Sequence, residues 1–359
     1  MTRPKRGPMA ASVLGLAAAG LLGQAAAAQQ TIPVTIAAGH PPLTTGVAYL
    51  RDFLIPEIDR RLAETGNYRI DWTQAYAGSL VGVREVLGAT GMGVTDMGYV
   101  PHLFMSDELP MEQFTYVMPF GTGDTQLLME IVSEMHARIP AMTEAWESHN
   151  QILLAPVGID DYHFVLTRPI EEVGDLSGRR LGLAGQASNW VRGTGVTPVA
   201  LSLPDFYNSM QTGLIDGIIT FESAITSYNF HEVAPYVATI SFGAMYSSGL
   251  TANTDFWNGL PDEVRDVIAE VAEEYRDRVG AAYRDSGARA MAQAVEEGAT
   301  IIEISDEARR DFAMQLPAIA RDWAEELDAR GMPGTEIMET YIALLRERGV
   351  EVVRDWSAD

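Results

Sequence analysis

Asp175 to Gly185 reads D-L-S-G-R-R-L-G-L-A-G, Leu201 to Ser223 reads L-S-L-P-D-F-Y-N-S-M-Q-T-G-L-I-D-G-I-I-T-F-E-S, and Tyr228 to Val233 reads Y-N-F-H-E-V. Arg180 to Leu183 is a short apolar strand, Pro204 to Thr212 opens as a capped helix, and Gly213 to Phe221 is a turn running into a second buried strand. Strand, helix, strand is half of an α/β domain. Nearer the N-terminus the pattern repeats. Ile32 to Ala37 alternates as a strand and stops at Gly39-His40-Pro41-Pro42, a rigid turn of the kind that brings backbone to a ligand site. Val47, Leu50, Leu54, Ile55, Ile58 and Leu62 then recur at helical spacing, with Pro56 expected to kink or interrupt the helix. Tyr68 to Trp72 alternates as the returning strand, so both halves of the chain carry a βαβ unit.

Ile152 to Val157 and Tyr162 to Thr167 are two further strand-like runs. From Pro261 a helical pattern continues to about Glu297 without another proline. At 1.5 Å per residue it spans roughly 50 Å, more than one small domain, so it is expected to bridge two. Ile301 to Ile304 reads as a strand, Ser305 as a cap, and helical segments are expected over Glu307–Arg330 and Thr335–Gly349.

The N-terminal residues point to export. Arg3, Lys5 and Arg6 precede an apolar run from Ala10 to Leu22 and a small-residue site at Ala26-Ala27-Ala28, which predicts a signal peptide over 1–28 cleaved after Ala28. The run is shorter than the roughly 20 residues of a membrane span. The 359 residues contain no cysteine, so disulfides, thiolate metal sites and cysteine nucleophiles are ruled out. A formal charge of -24 disfavours nucleic acid and anionic bilayers as partners.

Catalytic patterns are missing where chemistry would need them. The six histidines show no H-x-x-x-H or H-E-x-x-H spacing for a metal, and no G-x-S-x-G elbow occurs. Gly91-Met92-Gly93 and Gly121-Thr122-Gly123 lack the third glycine of a dinucleotide loop. Asp160 and Asp161 form an adjacent pair, but neighbours on a strand point to opposite faces. No enzyme activity, cofactor or metal is expected.

The quoted stretch resembles the solute-binding proteins of tripartite ATP-independent periplasmic (TRAP) transporters. Asp175, Leu176, Gly178, Tyr207, Gln211, Thr212, Gly213, Asp216, Gly217, Phe230, Glu232 and Val233 match that family's pattern in order. Gly78-Ser79-Leu80, Arg84 to Leu87, Asp96-Met97, Met118-Pro119-Phe120 and Arg168-Pro169-Ile170 extend the likeness over the mature chain. The resemblance implies an α/β, two-lobed periplasmic binding protein with a hinge, a ligand cleft between the lobes and a long bridging helix. It implies a first lobe over 29–157 and 247–282, a second over 158–246 and 283–330, and a C-terminal helical segment over 331–359. It further implies capture of a small organic solute in the periplasm and delivery to small and large integral membrane subunits. A sensor or scavenging protein of the same fold, docking on another membrane partner, is the alternative.

By position in that fold the ligand-binding candidates are His40, Pro41, Tyr99, Tyr162, Phe164, Gly182, Trp190, Thr220, Phe221 and Glu222. Trp190 and Phe221 read equally as core aromatics, Tyr99 as strand-end packing, and Glu222 as a carboxylate at a helix start. One departure bears on the ligand. The strand that ends K-I-R in the family ends Arg180-Leu181-Gly182 here, so the arginine that grips a carboxylate in most members is a glycine. A second arginine position falls near Asp161. A cleft with fewer cations, and with Asp161, Glu222, Trp190 and Tyr162, suits a neutral or cationic, partly aromatic solute. Arg84, Arg168 or Arg192 reaching in would instead suit an organic acid.

Overall fold

In the computed structural model, residues 1–2 and 29–358 are described. The expected leader and its cleavage after Ala28 lie outside the described residues. Among the described residues, no helix is long and apolar enough to cross a membrane.

The strands, in chain order, are β1 (Gln30–Ala38), β2 (Tyr68–Ala75), β3 (Met97–Val100), β4 (Gln151–Ile159), β5 (Tyr162–Leu166), β6 (Arg180–Leu183), β7 (Thr197–Ala200), β8 (Gly217–Phe221), β9 (Tyr236–Thr239), β10 (Met245–Asn253) and β11 (Thr300–Glu303). They form two mixed sheets, ordered β2-β1-β3-β10-β4 and β11-β9-β5-β8-β6-β7. β1 runs parallel to both β2 and β3, and β6 parallel to both β7 and β8, so each sheet holds the parallel unit that the alternating pattern predicts. In the first unit Pro56 does not break the helix. The α-ladder is nevertheless interrupted there: a π-helical turn at Leu50–Leu54 stands directly before Ile55–Thr65, and Pro56 has no N–H to donate back to it.

The chain passes between the sheets at three places. Asp160-Asp161 joins β4 to β5, Ile240–Ala244 joins β9 to β10, and a helix over Asp262–Glu296 lies between β10 and β11. That helix is 35 residues long and unbroken. Val264, Ile268, Val271 and Tyr275 bury in the larger core with first-sheet residues, whereas Ala294 packs in a second core with Phe206, Ile218 and Phe230. Glycines allow its close approach. An added Cβ at Gly280 would stand 2.9 Å from Gln126 Cα, and one at Gly287 would stand 3.1 Å from Asp160 Oδ2.

The C-terminal expectations need one correction. Glu307–Arg330 is not one helix: Leu316-Pro317 divides it into Asp306–Gln315 and Ile319–Ala329, because proline lacks the N–H to continue the ladder. The last helix, Gly334–Glu347, returns to the first sheet's layer. Tyr341 packs on Phe114 with ring centroids 5.1 Å apart, and Trp356 Nε1 donates to Pro119 O at 3.0 Å.

The glycine argument gives opposite signs at two helical positions. Gly280→Ala should lower the unfolding free energy by about 1–3 kcal/mol, since the methyl meets backbone. Gly88→Ala, with nothing within 4 Å of its added Cβ, should raise it by roughly 0.5–1 kcal/mol. Urea unfolding that gives both variants the same sign would contradict the close-packing account.

Candidate functional site

The carboxyl ends of parallel strands from both sheets converge on one cavity of about 840 Å³. β1 runs into Gly39, His40 and Pro41, β3 into Pro101, Leu103 and Phe104, and β8 ends at Phe221 beside Ser223; all of these line it. Ser247 and Ser248 of β10 contribute from the first sheet, and Tyr283 and Ser286 from the bridging helix. The walls are rings and hydroxyls. Tyr162 meets Phe221 edge-on at 5.5 Å, and His40 meets Tyr99 edge-on at 6.1 Å. The Tyr99 hydroxyl lies against Ser248 and Tyr283, and burial holds its pKa above the ordinary value. Burial also lowers the pKa of His40, which keeps that ring neutral at pH 7.

Arg84 and Glu85 are the charged residues lining this cavity among those described. Arg84 Nη1 donates to Phe104 O at 2.9 Å, with the guanidinium 5.3 Å from the Phe104 ring centroid. Glu85 Oε2 accepts from Gly82 N at 2.9 Å. Arg84 also lines a second chamber of about 400 Å³, whose other wall includes Gln186, Ser202 and Asp205. Between the lobes there, Leu103 reaches Gly185: an added Cβ at Gly185 would stand 3.0 Å from Leu103 Cδ1.

Of the sequence candidates, His40, Pro41, Tyr99, Tyr162 and Phe221 line the cavity; Phe164, Gly182, Trp190, Thr220 and Glu222 do not. Strand alternation explains most of the difference. Ile219 and Phe221 face the cavity, so Thr220 between them faces away. Gly182 likewise faces away from the smaller chamber, which Leu183 lines, and its added Cβ would stand 2.8 Å from Ile215 Cδ1 and 3.1 Å from Phe206 Cε1. Phe164 is fully buried with Phe242 and Phe312. Trp190 is a buried wedge behind Tyr162, stacked on Phe242 at 4.9 Å, its Nε1 donating to Tyr116 O at 2.7 Å.

The carboxylates expected in the cleft are turned away from it. Ser241 N–H donates to His163 Nδ1 at 3.1 Å, which leaves the ring proton on Nε2 to donate to Glu222 Oε1 at 3.1 Å. Asp161 accepts from Ser241 Oγ and from Gly243 N, the latter at 2.7 Å. Asp160 Oδ2 accepts from Ser223 N at 3.2 Å, and burial raises its pKa well above the usual carboxylate range. These groups knit the chain crossings together, so the extra negative potential read from Asp161 and Glu222 is spent there. Arg168 pairs with Asp216 at 3.8 Å, and neither it nor Arg192 lines the cavity. The serines and Tyr283 were missed because they lie on an antiparallel strand and a long helix, away from the turns that announce ligand sites. The spacing of Gly280, Tyr283 and Gly287 was the available signal: one helix face, close-packed.

Two predictions follow from this placement. Gly182→Arg should not create a carboxylate clamp but should lower stability by about 3 kcal/mol or more, since it drives a charged chain into apolar packing. Thermal unfolding that leaves this variant unchanged, with new succinate binding, would contradict the placement. The second concerns His102, fully buried behind the Pro101–Phe104 wall with its ring 4.2 Å from that of Tyr246. Burial, then His136, lowers its pKa from 6.5 to about 3. The unfolded chain therefore takes up this proton first as pH falls. Stability is present above pH 6.5 and is lost toward pH 3, by up to about 1.4 kcal/mol per unit from this residue. His102→Phe should flatten the acid limb of stability against pH by that amount; an unchanged slope would contradict it.

Residues 58–326 match the family model described as bacterial extracellular solute-binding protein, family 7. Among curated proteins, the ectoine-binding periplasmic protein TeaA of Halomonas elongata is 21% identical over 247 residues, 68% of this chain and 71% of that one. Among solved structures, a TRAP periplasmic solute-binding protein from Desulfovibrio salexigens, an open complex, has a TM-score of 0.76 at 19% identity, covering 88% of this chain and 96% of its own. A TRAP solute-binding protein from Rhodoferax ferrireducens with copurified benzoate also has a TM-score of 0.76, at 18% identity over 89% of this chain and 98% of its own. The family and the fold are those of solute-binding receptors. The chain belongs to bacterial extracellular solute-binding protein family 7.

Proposed function

We propose that this chain works in the periplasm, without catalysis, by closing two lobes on a small organic solute and handing it to the small and large membrane subunits of a TRAP transporter. The observation that carries this reading is the cavity of about 840 Å³ walled by both sheets and the bridging helix. That volume lies within the range of small-molecule sites, and two relatives are named for ectoine and benzoate. The moving bodies are the two sheets with their helices, divided at Asp160-Asp161 and Ile240–Ala244. Leu103 against Gly185 marks where they meet on closure.

A ligand that binds only the folded protein stabilises it by RT ln(1 + [L]/Kd), about 2.7 kcal/mol at a hundredfold excess over Kd. A thermal-shift screen of solutes from all charge classes should therefore yield stabilising members. Transport reconstituted with the membrane subunits should require the chain. Gly185→Ala should lower the unfolding free energy by about 1–3 kcal/mol, because its φ of 55° strains any side chain and the added methyl meets Leu103. A screen with no stabilising solute, or transport that proceeds equally without the chain, would contradict the reading.

A further inference from the structure

β2 is the outer strand of the first sheet, paired with β1 on one side, and β10 and β4 lie at the sheet's other end, where the crossings to the second lobe begin. In a parallel ladder alternate residues turn both backbone groups to the neighbouring strand. Gln30 N–H donates to Asn67 O at 2.9 Å, so Asn67, Arg69, Asp71 and Thr73 face β1. Tyr68, Ile70 and Trp72 therefore carry N–H and C=O groups outward, a row that another strand can pair with. Arg69 and Asp71 are exposed on one face of this edge. Arg69 Nη2 meets only Thr31 Oγ1, at 3.5 Å, and the Asp71 carboxylate has no hydrogen bond or ion pair among the described residues. We propose that β2 is a contact between two copies of this chain, the two edges pairing antiparallel about Ile70 to continue the sheet from one first lobe into the other.

The residues of the edge select both the partner and the register. Outward-facing residues must meet outward-facing residues, so a two-fold pairing is centred on a residue. Centred on Arg69 or on Asp71, it sets like charges directly opposite each other, which destabilises the pair. Centred on Tyr68 or on Trp72, it leaves Arg69 and Asp71 facing uncharged residues. Centred on Ile70, it places Arg69 opposite Asp71 of the second copy, twice, on one face. On the other face it places Tyr68 opposite Trp72 of the second copy, twice, beside the buried Ile70. Charge on an edge strand ordinarily prevents pairing. Here the two signs stand two residues apart, so they repel a misregistered copy and attract a registered one. The formal charge of -24 opposes the approach of two chains, but at about 0.15 M salt charges more than roughly 8 Å apart are screened. Pairing through β2 also leaves the crossings at the far end of the sheet free, so each cleft closes on its own. The contact does not depend on the receptor reading above.

The test is sedimentation equilibrium of the mature protein at about 0.15 M salt, from micromolar to submillimolar concentration. The native sequence is compared with Arg69→Asp, Asp71→Arg and the variant carrying both substitutions. Circular dichroism should be the same for all four, because both side chains are exposed. The native chain should show a monomer–dimer equilibrium. Each single variant sets two like-charge pairs across the strands and should weaken the dimer by at least about tenfold. The double variant restores opposite charges in the same register and should return the affinity to within about threefold of native. A native chain that stays monomeric throughout overturns the proposal, and the edge is then one closed by its own charges. A dimer that neither single variant weakens overturns it too, since the contact lies elsewhere, as does a double variant no better than the singles, since the register is then wrong.

Discussion

The architecture depends on one helix lying hard against two bodies. Asp262–Glu296 can do so because Gly280 and Gly287 have no side chain where Gln126 of one lobe, and Glu222 with the Asp160 crossing, come closest. Its early turns share a core with the first sheet, its last turns share one with the second, and its middle supplies Tyr283 and Ser286 to the cavity. A single rigid element therefore sets the distance between the lobes and forms the floor of the site. Relative motion is left to the two short crossings that the helix passes.

Those crossings are held by charge and by a strained residue. Ser241 adopts φ 54°, unusual for a residue with a side chain. Its N–H donates to His163, its hydroxyl to Asp161, and its carbonyl accepts from Arg309. Such a conformation persists where the surroundings over-determine it. Burial lowers the pKa of His163, but Asp161 and Glu222 more than reverse this and raise it. Protonation at Nδ1 would cost the bond from Ser241 N–H, which opposes that rise. The carboxylates serve the hinge, and the cavity keeps neutral walls with Arg84 and Glu85 at one side.

The fold was legible because period and punctuation agreed. Arg180–Leu183 and the long helix after Pro261 were readable to the residue or nearly so, since strand alternation, a capping proline and the lack of any internal breaker all pointed the same way. Pro317 was overlooked because flanking residues kept a helical spacing across it. The site was half legible. Turns such as His40-Pro41 and strand ends such as Tyr99 and Phe221 declare themselves, whereas which face of β6 or β8 meets the cavity depends on register against neighbouring strands. That is why Gly182 and Thr220, one residue from Leu183 and Phe221, fell on the wrong side. Trp190 was misplaced for a different reason: its indole N–H finds Tyr116 O, a partner distant in sequence.

The central claim is that the cavity closes around its solute by motion of two lobes about the crossings. With no native cysteine in the chain, Leu80→Cys and Asn208→Cys would place unique spin labels on opposite lobes. Double electron–electron resonance should show a broad or longer distance distribution without solute. Saturation with a solute that raises the melting temperature should give one narrow, shorter distribution. A distribution unchanged at saturation would contradict the account.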